Sequence, residues 1–275
     1  MKNIFLKLYA FINSWVGTII IVLGIIFFLA QAFVIPSGSM LNTLLIGDNL
    51  FVKKFSYGIP TPTIPWLEIQ VLPDFNKNGH LIEGERPKRG DIVIFRDPNA
   101  PKIHFVKRNV AISGDEVLYT KEGLWVHFSS DSIYKDTTAR SLEFGGKVFY
   151  YEPYAALHAG VHYAQTSLDA FEQLRILLHN GEKIAMEQVD LSNGEIAFYT
   201  SIKDDEFFMM GDNRNNSSDS RFWGAVPYRY IIGKPWFIYF SWDDAFNIRW
   251  NRIGKSVESL EKQALQEKNT KNLES

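Results

Sequence analysis

Between Lys7 and Asp48 the chain carries no charged residue, and from about Trp15 to Val34 it is nearly all Ile, Val, Leu, Phe, Gly and Ala. Roughly 20 apolar residues match the thickness of a bilayer core as a helix. The reading is one N-terminal transmembrane helix over 11–34, preceded by a short cytoplasmic segment, 1–10. Lys2 and Lys7 lie on the short side, so the positive-inside rule puts the N-terminus in the cytoplasm and the rest of the chain outside. Ala30-Gln31-Ala32 also has the small-x-small form of a cleaved secretory signal. The run is longer than the roughly 7–15 residues of a signal h-region, which favours the anchor.

Beyond the apolar run, composition narrows the chemistry. The 275 residues include no cysteine, which excludes a thiol nucleophile, a Cys-based zinc site and a disulfide framework. A formal net charge of -2 supplies no basic field for phosphate backbones, so no nucleic-acid partner is expected.

The elements read as mainly β. Leu50 to Phe55, Gly90 to Arg96, Ile103 to Ile112, Glu206 to Met210 and Ile231 to Phe240 have strand texture, with β-branched enrichment and apolar alternation. Pro60, Pro62, Pro65 and Pro73 mark an irregular surface stretch between them. From 121 to 205 the texture changes to several Tyr, short strands and one helix-like run from about Ser167 to His179. The expected organisation is an antiparallel catalytic β core, 35–120 and 206–254, interrupted by an inserted cap subdomain, 121–205. A polar C-terminal tail, 255–275, ends the chain; Ile253, Val257, Leu260 and Ala264 have helical spacing and read as a solvated helix or frayed end rather than a docking element. Trp236, Trp242, Phe246 and Trp250 form an aromatic group that suits either core packing or a patch at the headgroup level of a bilayer.

Amide hydrolysis without metal or thiol needs a hydroxyl nucleophile, a base and donors for the oxyanion. Three segments offer these together: Ile35-Pro36-Ser37-Gly38-Ser39-Met40, Phe105-Val106-Lys107-Arg108, and Gly211-Asp212-Asn213-Arg214-Asn215-Asn216-Ser217-Ser218-Asp219-Ser220-Arg221. With Gly47-Asp48 and Arg89 to Phe95 between them, the ordered set resembles the motif boxes of the bacterial signal peptidase I family. That family carries P-S-x-S-M, G-D, R-G-D-I-V-x-F, a strand ending in K-R, and G-D-N-R-x-N-S-x-D-S-R. The match covers about half the chain, and joint occurrence in order is far more specific than any one box.

The resemblance implies a Ser/Lys-dyad serine endopeptidase without cofactor or metal, removing signal peptides from exported preproteins at the outer face of a bacterial inner membrane. Position by position it implies Ser39 as nucleophile and Lys107 as general base. Ser37 would join the Ser39 backbone N–H in the oxyanion hole, Ser217 would hydrogen-bond the lysine amine, and Asp219 with Arg221 would form a structural ion pair. Ile35, Met40, Leu44, Phe105 and Val106 would line shallow pockets for small residues one and three before the scissile bond. The chain departs from the family at Asn42 and Ser113, where proline is usual, and at Asn215, where aspartate is; these bear on local rigidity.

Chemistry adds a demand of its own. A lysine with a pKa near 10.4 is neutral only about once in a thousand near pH 7.4, so Lys107 needs burial to bring its pKa down by about 2 or more. Other readings are weaker. The Asp- and Asn-rich loop offers oxygens for calcium but lacks EF-hand spacing. His104 lies three residues from Lys107, on the opposite face of a strand. His158 and His162 lack the intervening Glu of a metalloprotease helix, and Ser132 to Lys135 fits S-x-x-K by spacing alone.

Overall fold

The structure, a computed structural model, describes residues 2–24, 30–64, 69–137 and 140–274. It opens with two helices, α1 (Lys2–Ile12) and α2 (Trp15–Gly24), followed by strand β1 (Ala30–Val34). This corrects the single helix expected over 11–34. Ser14 breaks the run: its Oγ donates to Phe11 O at 2.6 Å and accepts from Gly17 N at 3.0 Å, an N-cap arrangement that starts a new helix. At the other end, Ala30 to Val34 pair in register with Lys53 to Asn49. Long-range pairing there overrides local helix preference. Residues 25–29 lie outside the described ones, and among the described residues no helix is long and apolar enough to cross a membrane.

Next come β2 (Asp48–Lys53) and four short strands, β3 (Gly58–Pro60), β4 (Thr63–Ile64), β5 (Ile69–Gln70) and β6 (His80–Glu83). β3 pairs with β6, and β4 with β5. The chain then forms β7 (Ile92–Arg96), β8 (His104–Ala111), β9 (Glu116–Thr120), β10 (Gly123–His127), β11 (Ser141–Phe144), β12 (Lys147–Tyr151), α3 (Ala170–His179), β13 (Glu187–Asp190) and β14 (Ile196–Ser201). β15 (Glu206–Met210), α4 (Ser220–Trp223), β16 (Val226–Pro227), β17 (Ile231–Ser241) and α5 (Val257–Glu274) complete it. Seven strands form one sheet in the order β1-β2-β17-β7-β8-β15-β16, and six form a second in the order β11-β12-β10-β9-β14-β13. All these pairings are antiparallel. The second sheet starts at Glu116, so the boundary expected at 121 falls inside the β9–β10 hairpin.

The first sheet is covered on both faces, and the two-residue period of β7 divides its core. Ile92 and Ile94 join Ile35, Met40, Leu50 and Val106 in one buried cluster. Val93 and Phe95 turn to the other face, with Tyr57, Phe207 and Met209. Because Val93 pairs with Lys107 and Phe95 with Phe105, Lys107 emerges on the Val93 side. Cross-strand neighbours share a face, so an amine is planted against apolar side chains.

The C-terminal helix corrects a second expectation. Val257 is buried and Leu260 packs beside it on the Ile35 cluster, while Lys268 Nζ donates to Ala155 O at 2.9 Å. Glu261, one turn on from Val257, reaches Arg108 Nη2 at 2.7 Å. The start of this helix is docked, because three residues on one stripe have an apolar or cationic partner. Trp236, Phe246 and Trp250, by contrast, are 44%, 84% and 73% exposed and so form no core.

Candidate active site

Ser39 sits in a 3-10 turn, Gly38–Met40, directly after β1 leaves the sheet. Backbone N–H groups in such a first turn have no acceptor within the helix, so the Ser39 amide is not used by the turn itself. The loop after β15 fixes this turn: Asn213 N donates to Ser39 O at 3.0 Å, and Asn213 Nδ2 to Gly38 O at 3.3 Å. The exposed Ser37 places its Oγ 3.5 Å from Ser39 Oγ.

Lys107 Nζ lies 2.6 Å from Ser39 Oγ. At that distance a charged ammonium donates to the serine, whereas a neutral amine accepts its proton. Only 3% of Lys107 is exposed, and the ring of Phe105 is centred 5.5 Å from the nitrogen. Burial lowers the amine to about 8; the Asp219 and Asp212 carboxylates pull it back up, and the Arg221 guanidinium pushes it down. About a tenth of the lysines are then neutral at pH 7, against a few in ten thousand for an ordinary one. The same shift acts on folding. A depressed lysine costs on the order of 3 kcal/mol of stability while it is charged, below about pH 8, and the cost is relieved as the pH rises toward the unfolded value of 10.5.

Beneath the two side chains the 211–221 loop is held by buried ion pairs. Asp219 accepts from Arg221 Nε and Nη2, both at 2.8 Å, and both residues are fully buried. Asp212 accepts from Arg108 Nε and Nη2, each at 2.7 Å, and from Thr43 Oγ1 at 2.5 Å. Arg214 pairs with Glu152 of the cap at 2.8 and 3.1 Å. Arginine holds Asp212 down at about 2 despite its burial, and Asp219 is lowered in the same way. These carboxylates are occupied by guanidinium forks, which leaves the loop poorly suited to calcium. Gly211 is required by closeness: a Cβ there would meet Ser217 Oγ at 2.4 Å and the Ser39 carbonyl oxygen at 2.5 Å.

A hydroxyl on a turn and a desolvated amine, held together by one polar loop, are the parts of a hydrolase. Comparison with known proteins identifies which one. The profile of the family described as "Signal peptidase, peptidase S26" matches residues 8–242. The chain belongs to this family. It is 52% identical to the protein named signal peptidase I of Helicobacter pylori strain J99, over 96% of this chain and 98% of that protein. Identity to the same-named protein of strain 26695 is 53%, covering 93% of this chain and 95% of the relative. The Pseudomonas aeruginosa signal peptidase I is 31% identical over 84% of this chain and 72% of its own length.

Within this S26 peptidase, a cleft of about 610 Å³ is bordered by Ser37, Ser39, Phe105, Lys107 and Asn215 to Ser218, and by Gln173 and Leu177 of α3. Of the residues expected to form pockets, Phe105 lines this cleft. Ile35, Met40, Leu44 and Val106 belong to one buried cluster. Ser217 lies at the cleft, but the bond expected from it to the lysine amine is not made: its buried Oγ has no hydrogen-bond partner among the described residues, since Lys107 is turned to Ser39.

The departures from the family pattern have local explanations. Asn42 adopts φ 74, a left-handed conformation closed to proline and open to asparagine, and its Nδ2 lies 3.2 Å from His162 Nδ1. Asn215 Nδ2 donates to Ala164 O at 3.0 Å. Ser113 Oγ accepts from Asp205 N at 2.9 Å, a cap that proline could not supply. Two histidines tie the loop and the cap together: His162 exchanges backbone bonds with Asp212 and Arg214 at 2.9 Å, and His158 contacts Arg108, Tyr134 and Glu261 at 2.9, 3.0 and 3.2 Å.

Sequence reasoning missed Thr43, Arg108, Glu152, Asp212 and Arg214 as supports of the site. A signal existed for two of them. Arg108 is a full charge inside an apolar strand, and Asp212 begins a polar loop after the apolar Phe207 to Met210; buried charges of opposite sign require each other. Glu152, about sixty positions before Arg214, offers no local clue.

Proposed function

We propose that this peptidase removes N-terminal signal peptides from exported preproteins after small-x-small motifs, with Ser39 as nucleophile and Lys107 as general base. The observation that carries the reading is the 2.6 Å approach of a buried lysine amine to a serine hydroxyl. Neutral Lys107 takes the Ser39 proton as Oγ adds to the carbonyl carbon. The oxyanion is received by the Ser39 backbone N–H and the Ser37 hydroxyl. Protonated Lys107 then gives its proton to the leaving amine, which departs and leaves an acyl-enzyme. Lys107, neutral again, deprotonates a water that attacks the ester and releases Ser39.

In this reading Ser217 takes one amine N–H of Lys107 when the lone pair is engaged, and the Asp219 and Arg221 pair keeps the loop in place. Substrate choice follows from the family resemblance, which implies small side chains at positions one and three before the bond, beside Phe105, Val106, Ile35, Met40 and Leu44. The working location is the outer face of a bacterial inner membrane, with the N-terminus cytoplasmic and the catalytic domain on the periplasmic side. Support comes from the apolar, outward-facing Ile19 to Leu23 of α2 and from the exposed Trp236, Phe246 and Trp250, a residue choice suited to the headgroup level. No cofactor is required.

The test is cleavage of a preprotein by the purified full chain in detergent micelles. A single cut after the second alanine of an Ala-x-Ala site is expected, and tryptophan in place of that alanine should lower kcat/KM by at least about 100-fold. Cleavage indifferent to that residue would overturn the substrate assignment.

A further inference from the structure

Helix α3 contributes nothing to the dyad, yet it borders the catalytic cleft. Its buried side is anchored in the cap: Ala170, Phe171 and Leu174 are buried, and the Phe171 ring stands 5.4 Å from Phe198 and 6.3 Å from Tyr119. Asp169 caps it by accepting from Glu172 N at 2.9 Å. Gln173 and Leu177 are four apart, hence on one stripe, and both line the cleft that holds Ser39 and Lys107. Both are only half-buried, and Gln173 Nε2 is steadied by Leu168 O at 3.0 Å. A capped, anchored helix thus presents an aliphatic group and a fixed carboxamide to the space where the reaction occurs.

We propose that Gln173 and Leu177 form the specificity wall that reads the side chain two positions before the scissile bond, selecting aliphatic or amide side chains over acidic ones. This rests on the function proposed above. A peptide bound in extended form sends successive side chains to opposite sides. If the small residues at one and three before the bond rest on the floor beside β8, the residue between them points away from that floor. Across the cleft stand α3 and the 215–218 segment. Leu177 offers apolar contact and Gln173 a hydrogen-bonding amide, and neither repays the desolvation of a carboxylate.

The test uses the purified full chain in micelles and peptides with alanine at one and three before the bond and Ala, Leu, Gln, Glu or Lys between them. The wild type should prefer Leu and Gln to Glu by about 5-fold in kcat/KM, a small factor because the wall is partly open to water. Leu177→Ala should bring the ratio of kcat/KM for the Leu peptide over the Ala peptide to about 1, a ratio taken within the one enzyme. Gln173→Lys, a change at a half-exposed position, should raise Glu relative to Lys by about 5-fold. Unchanged preference ratios in both variants, with Ser39-dependent cleavage intact, would overturn the wall and spare the proposed function. Loss of all Ser39-dependent cleavage in the wild type would sink both.

Discussion

Lys107→Ala is expected to lower kcat/KM for precursor cleavage by at least about 10⁴-fold while the circular dichroism spectrum stays that of the wild type. The size follows from the surroundings of Ser39. Its Oγ is 2.6 Å from the amine, the other side chain bonded to it being the Ser37 hydroxyl at 3.5 Å, which is no base near neutral pH. Lys107→Arg should fail as completely, because a guanidinium remains charged and cannot accept the proton. Ser39→Ala should match Lys107→Ala, and the double variant should be no worse than either, since groups acting as one unit lose their effect together. Lys107→Ala activity within about tenfold of wild type would mean that another group deprotonates Ser39.

The largest stability effect is expected at Asp219. Its carboxylate accepts from the fully buried Arg221 guanidinium, which also donates to the carbonyl oxygens of Arg214 and Ser217. Asp219→Ala should cost about 3–5 kcal/mol by leaving a buried cation uncompensated. That corresponds to a melting temperature lower by roughly 6–20 °C for a chain of this size. Asp219→Ala combined with Arg221→Met should recover most of the loss, because no charge is then stranded. If the single variant melts with the wild type, the pair does not hold the loop. The pH dependence has a definite sign: the folded carboxylate is depressed, so the pair's contribution is complete above an ordinary aspartate pKa near 3.9 and fades only as the pH falls below it.

Much of the site was legible in the chain because its chemistry is written in residue types. A serine turn, a lysine in an apolar strand and a Gly-Asp loop can be matched to roles before any contact is known, and the need for a buried Lys107 follows from the pKa of lysine alone. The strands from β7 to β8 and β15 were visible because their alternation is local. What was not visible depends on partners far away in sequence. Ala30 to Val34 has nothing to distinguish it from the end of an apolar helix except the strand at Asn49 to Lys53 that captures it. Asn13-Ser14 was a readable break, since Ser14 is a ready helix cap. The α5 helix looked unpartnered because its stripe meets a cluster assembled from several strands, Ile238 and Ile35 among its members, and because Glu261 reaches Arg108, more than a hundred positions earlier, at 2.7 Å. The pocket residues were assigned by resemblance; Phe105 lines the cleft, and Ile35, Met40, Leu44 and Val106 share one buried cluster, a grouping that depends on pairing distant strands.

The account turns on the protonation of one amine, which can be read directly. With ¹³C-labelled lysine, the Cε resonance that disappears in Lys107→Arg belongs to Lys107, and its titration in the folded full chain in micelles reports the pKa. The structure predicts a midpoint at about 8, with kcat/KM rising through the same pH. A midpoint near 10.4, where free lysine titrates, alongside undiminished cleavage at pH 7, would contradict a neutral Lys107 as the base.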